Sequence, residues 1–89
     1  MATIDEAFLN DITDMIRGEF RHTTEKQDRF HSAHEGYAAL LEEVDELWDE
    51  IKRQDRDASA MRKEAIQVGA MAMRFLHDLA KQETPDDDH

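Results

Sequence analysis

The sequence predicts an all-α fold: three helices in an antiparallel chain that completes a helical bundle by oligomerisation. Three observations carry that expectation. The 89 residues include only three Gly and one Pro, and the Pro stands at position 85, so nothing breaks a helical chain before its end. Apolar residues recur at three- and four-residue spacing instead of alternating. The stretch from Ala65 to Leu76 is apolar most of the way round, with Arg74 its only charge. A helix of that kind must be covered on several sides, and two companions in so short a chain can hardly do it. The small residues Ala65, Gly69, Ala70 and Ala72 permit close approach, so a homodimer or homotetramer is expected.

The first helix is read from about Ile4 to Phe20, on the stripe Phe8, Ile12, Met15, Ile16 and Phe20. From Arg21 to His31 the period stops, and the run is read as a connection. Its cations Arg21, Lys26 and Arg29 either meet a phosphate chain or simply offset an acidic surface. Ser32-Ala33-His34-Glu35 fits a capping box, in which the Ser hydroxyl accepts from the backbone and Glu35 reaches back. The second helix starts there and runs to about Arg53, where Gln54-Asp55-Arg56-Asp57 ends it. Asp57 or Ser59 caps a third helix reaching about Lys81. Residues 1–81 form one domain, and 82–89, with Pro85 and three consecutive Asp, read as a disordered acidic tail.

Composition narrows the function classes. A net charge of −11 and a pI near 4.7 argue against binding a nucleic-acid backbone or anionic lipid, so no nucleic-acid and no membrane partner is expected. Divalent cations would be attracted. The absence of Cys excludes disulfides and thiolate metal sites. No basic segment followed by an apolar run opens the chain, and no stretch approaches the ~18 apolar residues of a membrane span, so a cytoplasmic location is expected.

The second helix concentrates the acids: Leu41 to Ile51 holds six in eleven residues. Leu41, Val44, Leu47, Trp48 and Ile51 mark its core side. Glu43 and Glu46 project to one side, about 60° apart around the axis. Glu43 and Glu50 border the core, while Glu42, Asp45 and Asp49 turn toward water. On the third helix, Glu64 shares the face of Val68, Met71 and Phe75, with Gln67 beside it. A carboxylate on such a face is costly to desolvate unless something pairs with it. The partner is either a cation such as Arg62, Lys63 or Arg74, or a metal ion held jointly with Glu43 and Glu46. An all-oxygen site selects Mg²⁺ or Mn²⁺ over Zn²⁺, and Mg²⁺ commonly takes substrate phosphates as further ligands. Tyr37, Trp48, Met61, Met71 and Met73 could help form a base pocket, but aromatic and Met stripes at helical spacing are more often core, and they are read as core. His22, His31, His34, His77 and His89 show no ligand or triad spacing.

At the acids the chain resembles a known family. Glu42-Glu43-Val44-Asp45-Glu46 and, eighteen residues after Glu46, Glu64-Ala65-Ile66-Gln67 resemble the two halves of the motif of MazG-type all-α nucleoside triphosphate pyrophosphohydrolases, Glu-Glu-x-x-Glu followed by Glu-x-x-Asp. The flanks His34-Glu35-Gly36-Tyr37-Ala38 and Met71-Ala72-Met73-Arg74-Phe75-Leu76 are similar to small MazG-like proteins of phages and bacteria. The likeness spans about Ser32 to Leu79. It implies a hydrolase that cleaves nucleoside triphosphates to monophosphate and pyrophosphate with Mg²⁺, working as a dimer or tetramer. It further implies Glu43, Glu46 and Glu64 as metal ligands, joined at the motif's last position by Gln67, with Glu42 and Glu43 as the catalytic acids. Gln67 departs from the pattern, because an amide offers a neutral oxygen where the motif has Asp. That departure supports an alternative: a non-catalytic helical interaction module that keeps the bundle with a degenerate metal site.

Overall fold

Asp5 starts the first helix by accepting the Phe8 N–H on its side chain at 3.1 Å, and α1 then runs over Glu6–Lys26. In the computed structural model, which describes residues 2–80, α2 follows over Ala33–Ile51 and α3 over Ala58–Ala80. No strand occurs among the described residues, so the all-α expectation holds. The proposed helix end near Lys81 and the tail 82–89 lie outside the described residues.

The connection expected from Arg21 to His31 is shorter than predicted, because α1 continues to Lys26. Its inward stripe continues on polar residues. Thr23 and Thr24 are partly buried where an apolar pattern would place Leu or Val, and the Thr23 hydroxyl donates to the carbonyls of Glu19 and Phe20. Apolar period alone therefore loses the helix one turn and a half early.

Ser32 caps α2 as expected, accepting the Glu35 N–H at 3.1 Å. Glu35 reaches back to the His31 N–H at 2.6 Å, one residue beyond the cap itself. The helix ends at Ile51, two residues before the expected Arg53, which turns instead to an exposed pair with Asp55. Of the two candidate caps for α3, Asp57 acts: its carboxylate accepts the Ser59 N–H at 2.9 Å and its carbonyl the Met61 N–H at 3.0 Å.

The helix α3 is central. Both α1 and α2 pack on it, and among the described residues they make no contact with each other. Gly36, early in α2, lies against Phe75, late in α3, while Glu43 and Glu46 meet Glu64, so α2 and α3 are antiparallel. Ile16 abuts Gly69 and Gln27 bonds Arg74, so α1 runs parallel to α3. A Cβ at Gly36 would stand 2.6 Å from the Phe75 ring, a close approach that only Gly permits. The Cα radius of gyration is 14.9 Å, against about 12 Å for a closed domain of this length. The arrangement is open, and among the described residues its buried apolar side chains are Phe30, Ala70 and Met71.

The expected core side of α2 is correspondingly half covered. Leu47 and Ile51 are partly buried, but Leu41, Val44 and Trp48 are exposed, and so is Tyr37. The expectation that Tyr37 and Trp48 belong to the core is corrected, whereas Met71 is buried and Met61 and Met73 are partly so. The reason is geometric: α3 alone backs α2, and one helix covers only one flank of a wide apolar face.

Candidate metal centre

Glu43 and Glu46 stand one turn apart on the middle of α2, and the antiparallel pairing with α3 brings Glu64 up to them. Each of the three offers a carboxylate oxygen, and these oxygens all lie within 4.8 Å of one another. Glu43 and Glu64 are partly buried and Glu46 is exposed, so the group sits at the lip of the α2–α3 seam. Glu50 is partly buried at the same edge, while Glu42, Asp45 and Asp49 are exposed, as their positions on the wheel predict.

The charges oppose one another. Burial raises the carboxyl pKa of Glu43 above its ordinary 4.5, and repulsion from Glu46, Glu64 and Glu42 raises it further. Glu64 is raised by burial and by repulsion from Glu46 and Glu50, with Lys63 acting the other way. Among the described residues no Lys or Arg pairs with Glu64 within 4 Å. Arg74, one candidate counter-ion, is committed elsewhere, to Gln27, Asp28 and Asp78. Three converging carboxylates without a cationic partner are a donor set suited to a hard divalent ion. Adjacent oxygens in an octahedral Mg²⁺ site stand about 2.9 Å apart, so the three side chains would draw together to hold one.

Gln67 lies one turn beyond Glu64 and is partly buried. It lines a cleft between α1 and α3 of about 990 Å³, together with Phe8, Ile12, Met15, Arg62 and Ile66. The cations Arg21, Lys26 and Arg29 are exposed. Their neighbours Phe20, Gln27 and Phe30 touch His77, Arg74 and Asp78, all on the C-terminal half of α3. Fourteen residues of helix separate Asp78 from Glu64, an axial rise of about 21 Å. Within one chain these cations and the carboxylates thus sit at different ends.

A second buried polar group escaped the sequence reading. Asp78 is 1% exposed and Arg74 2%. Asp78 accepts the Phe30 N–H at 2.8 Å, and the Arg74 guanidinium bonds the side chain of Gln27 and the carbonyl of Asp28 while lying over the Phe30 ring. The group fastens the α1–α2 connection to α3. The one signal for it was the i, i+4 pair Arg74/Asp78 on an otherwise apolar helix.

No family model, no curated protein and no solved structure matches the chain. The likeness to MazG-type enzymes accordingly rests on the motif residues alone. No helix among the described residues is long and apolar enough to cross a membrane.

Proposed function

We infer that the chain is a nucleoside triphosphate pyrophosphohydrolase dependent on Mg²⁺, with Mn²⁺ as a substitute, acting as a homodimer or homotetramer. The observation that carries this reading is the convergence of Glu43, Glu46 and Glu64 from two helices to within 4.8 Å. It joins the two halves of the motif across eighteen residues of sequence. When bound, the ion shields the polyphosphate and polarises the phosphorus under attack. Glu43, Glu46 and Glu64 hold it, and Gln67 contributes no charge. Glu42, exposed and next to Glu43 on α2, orients the attacking water, and Glu43 acts on the reaction through the ion that it holds.

The test is incubation of the full chain with ribo- and deoxynucleoside triphosphates plus Mg²⁺ or Mn²⁺, reading pyrophosphate release. Turnover of at least one substrate, abolished in Glu64→Gln, is expected. Absence of turnover with every substrate sinks the enzyme reading.

The second reading, a non-catalytic interaction module, is favoured by one feature: Gln67 stands at the motif's last acidic position and lines the α1–α3 cleft. Calorimetry separates the two. Saturable Mn²⁺ binding lost in Glu43→Gln, Glu46→Gln and Glu64→Gln supports the enzyme, since an interaction module has no need of such a site.

A further inference from the structure

On α2, Tyr37, Leu41, Val44 and Trp48 succeed one another at spacings of four, three and four, and they are 62, 41, 40 and 56% exposed. We propose that this face joins two copies of the chain, their α2 helices antiparallel about a two-fold axis between Leu41 and Val44. Tyr37 of one copy then lies against Trp48 of the other, and Leu41 against Val44. The proposal rests on the self-association in the preceding reading and specifies its surface; it does not rest on hydrolysis.

Three arguments select a second copy as the occupant. The first is stability. A chain whose buried apolar side chains among the described residues are Phe30, Ala70 and Met71 needs its cover whenever it is folded, and only its own copies are always present with it.

The second is area. The four side chains offer roughly 400 Å² per copy, so with the residues that flank them a pair reaches toward the ~1,000 Å² at which a specific interface begins.

The third is charge. Each copy carries −11, and α2 holds seven carboxylates and no Lys or Arg, so copies can meet only where the acids turn aside. The stripe is uncharged. At about 100° per residue, Glu43 and Glu46 lie about 100° and 160° round from Val44, on the flank away from Leu41 and Trp48. The carboxylate cluster thus stays open to ion and substrate in the pair. Asp45 borders the stripe in both copies, and its repulsion weakens the pair at low salt.

The experiment is sedimentation velocity on the full chain without nucleotide or divalent ion. Wild type is expected to dimerise at micromolar concentration and to tighten as NaCl rises. Trp48→Glu and Leu41→Glu should weaken dimerisation at least ten-fold, while Leu9→Glu on α1 leaves it unchanged. Because a charged variant can fail to fold, a second readout uses the chain's lack of Cys. Oxidised Leu41→Cys/Val44→Cys should form an intermolecular disulfide, and Phe8→Cys/Met15→Cys should not.

Only monomer at 100 µM, dimers indifferent to both Glu substitutions, or no disulfide at 41/44 overturns the proposal. So does weakening by salt, which marks a charge-paired surface or a basic helical partner. A dimer without turnover leaves this inference standing and removes the enzyme. A monomer with turnover does the reverse.

Discussion

The carboxylate of Asp78 accepts a hydrogen bond from the backbone N–H of Phe30 at 2.8 Å, across forty-eight positions of sequence. It is also the acidic neighbour of Arg74, whose Nε lies 3.8 Å away with both side chains almost fully enclosed. Asp78→Ala would leave the guanidinium without its carboxylate and the Phe30 N–H without an acceptor, at a cost of about 3 kcal/mol. Asp78→Asn keeps an acceptor for Phe30 and should lose less. Thermal melts followed by circular dichroism decide this. A Tm for Asp78→Ala within a degree of wild type would show that the group does not fasten the connection.

The three glycines should respond to Ala in a fixed order. Gly18 is exposed in α1 and a Cβ there meets nothing within 4 Å, so Gly18→Ala stabilises by about 0.5–1 kcal/mol. At Gly69 a Cβ stands 3.0 Å from the end of the flexible Ile16 side chain, and the helical gain is roughly cancelled. At Gly36 it stands 2.6 Å from the Phe75 ring with Phe30 3.2 Å away, and overpacking costs about 1–3 kcal/mol. A melt series in which Gly36→Ala is the most stable of the three contradicts the packing described.

The carboxylate cluster makes stability depend on pH in a defined sense. Glu43 and Glu64 are raised above their ordinary 4.5 on folding, by burial first and then by neighbouring carboxylates. A raised folded pKa means that the folded state holds protons more tightly than the unfolded one. The contribution is complete below about pH 4.5 and disappears as pH climbs through the raised values. Ion-free protein should therefore lose stability with rising pH in that window, less so in Glu43→Gln and Glu64→Gln. Mn²⁺ or Mg²⁺ should restore it at neutral pH. Equal pH slopes in wild type and both variants would count against repulsion within the cluster.

The residues that carry the fold and the carboxylate cluster were legible in sequence for a common reason: each belongs to a local period. Ser32 with Glu35, the stripe on α1 and the Glu43–Glu46 spacing are all set within one or two helical turns. The meeting with Glu64 followed from a short connection that makes α2 and α3 antiparallel. The positions that were misread depend on partners distant in sequence. Thr23 and Thr24 continue α1 because a polar residue can occupy a partly covered side. Trp48 and Tyr37 carry core chemistry but face outward, because α1 packs on α3 and not on α2. Phe30 and Asp78 pair across the whole of α2, the connection after it and most of α3, and no local pattern encodes that.

The lack of contact between α1 and α2 has a kinetic consequence. No residue of α1 is buried, and its N-terminal half exposes Phe8, Leu9 and Met15, so its opening disrupts little packing. Its amide protons should exchange with deuterium well before those of α3, read by mass spectrometry at peptide level. Uniform protection across α1 and α3 would show a single cooperative unit instead. The carboxylates that meet between α2 and α3 would keep their geometry while the first helix swings away and returns, so ion capture and the breathing of α1 run on separate clocks.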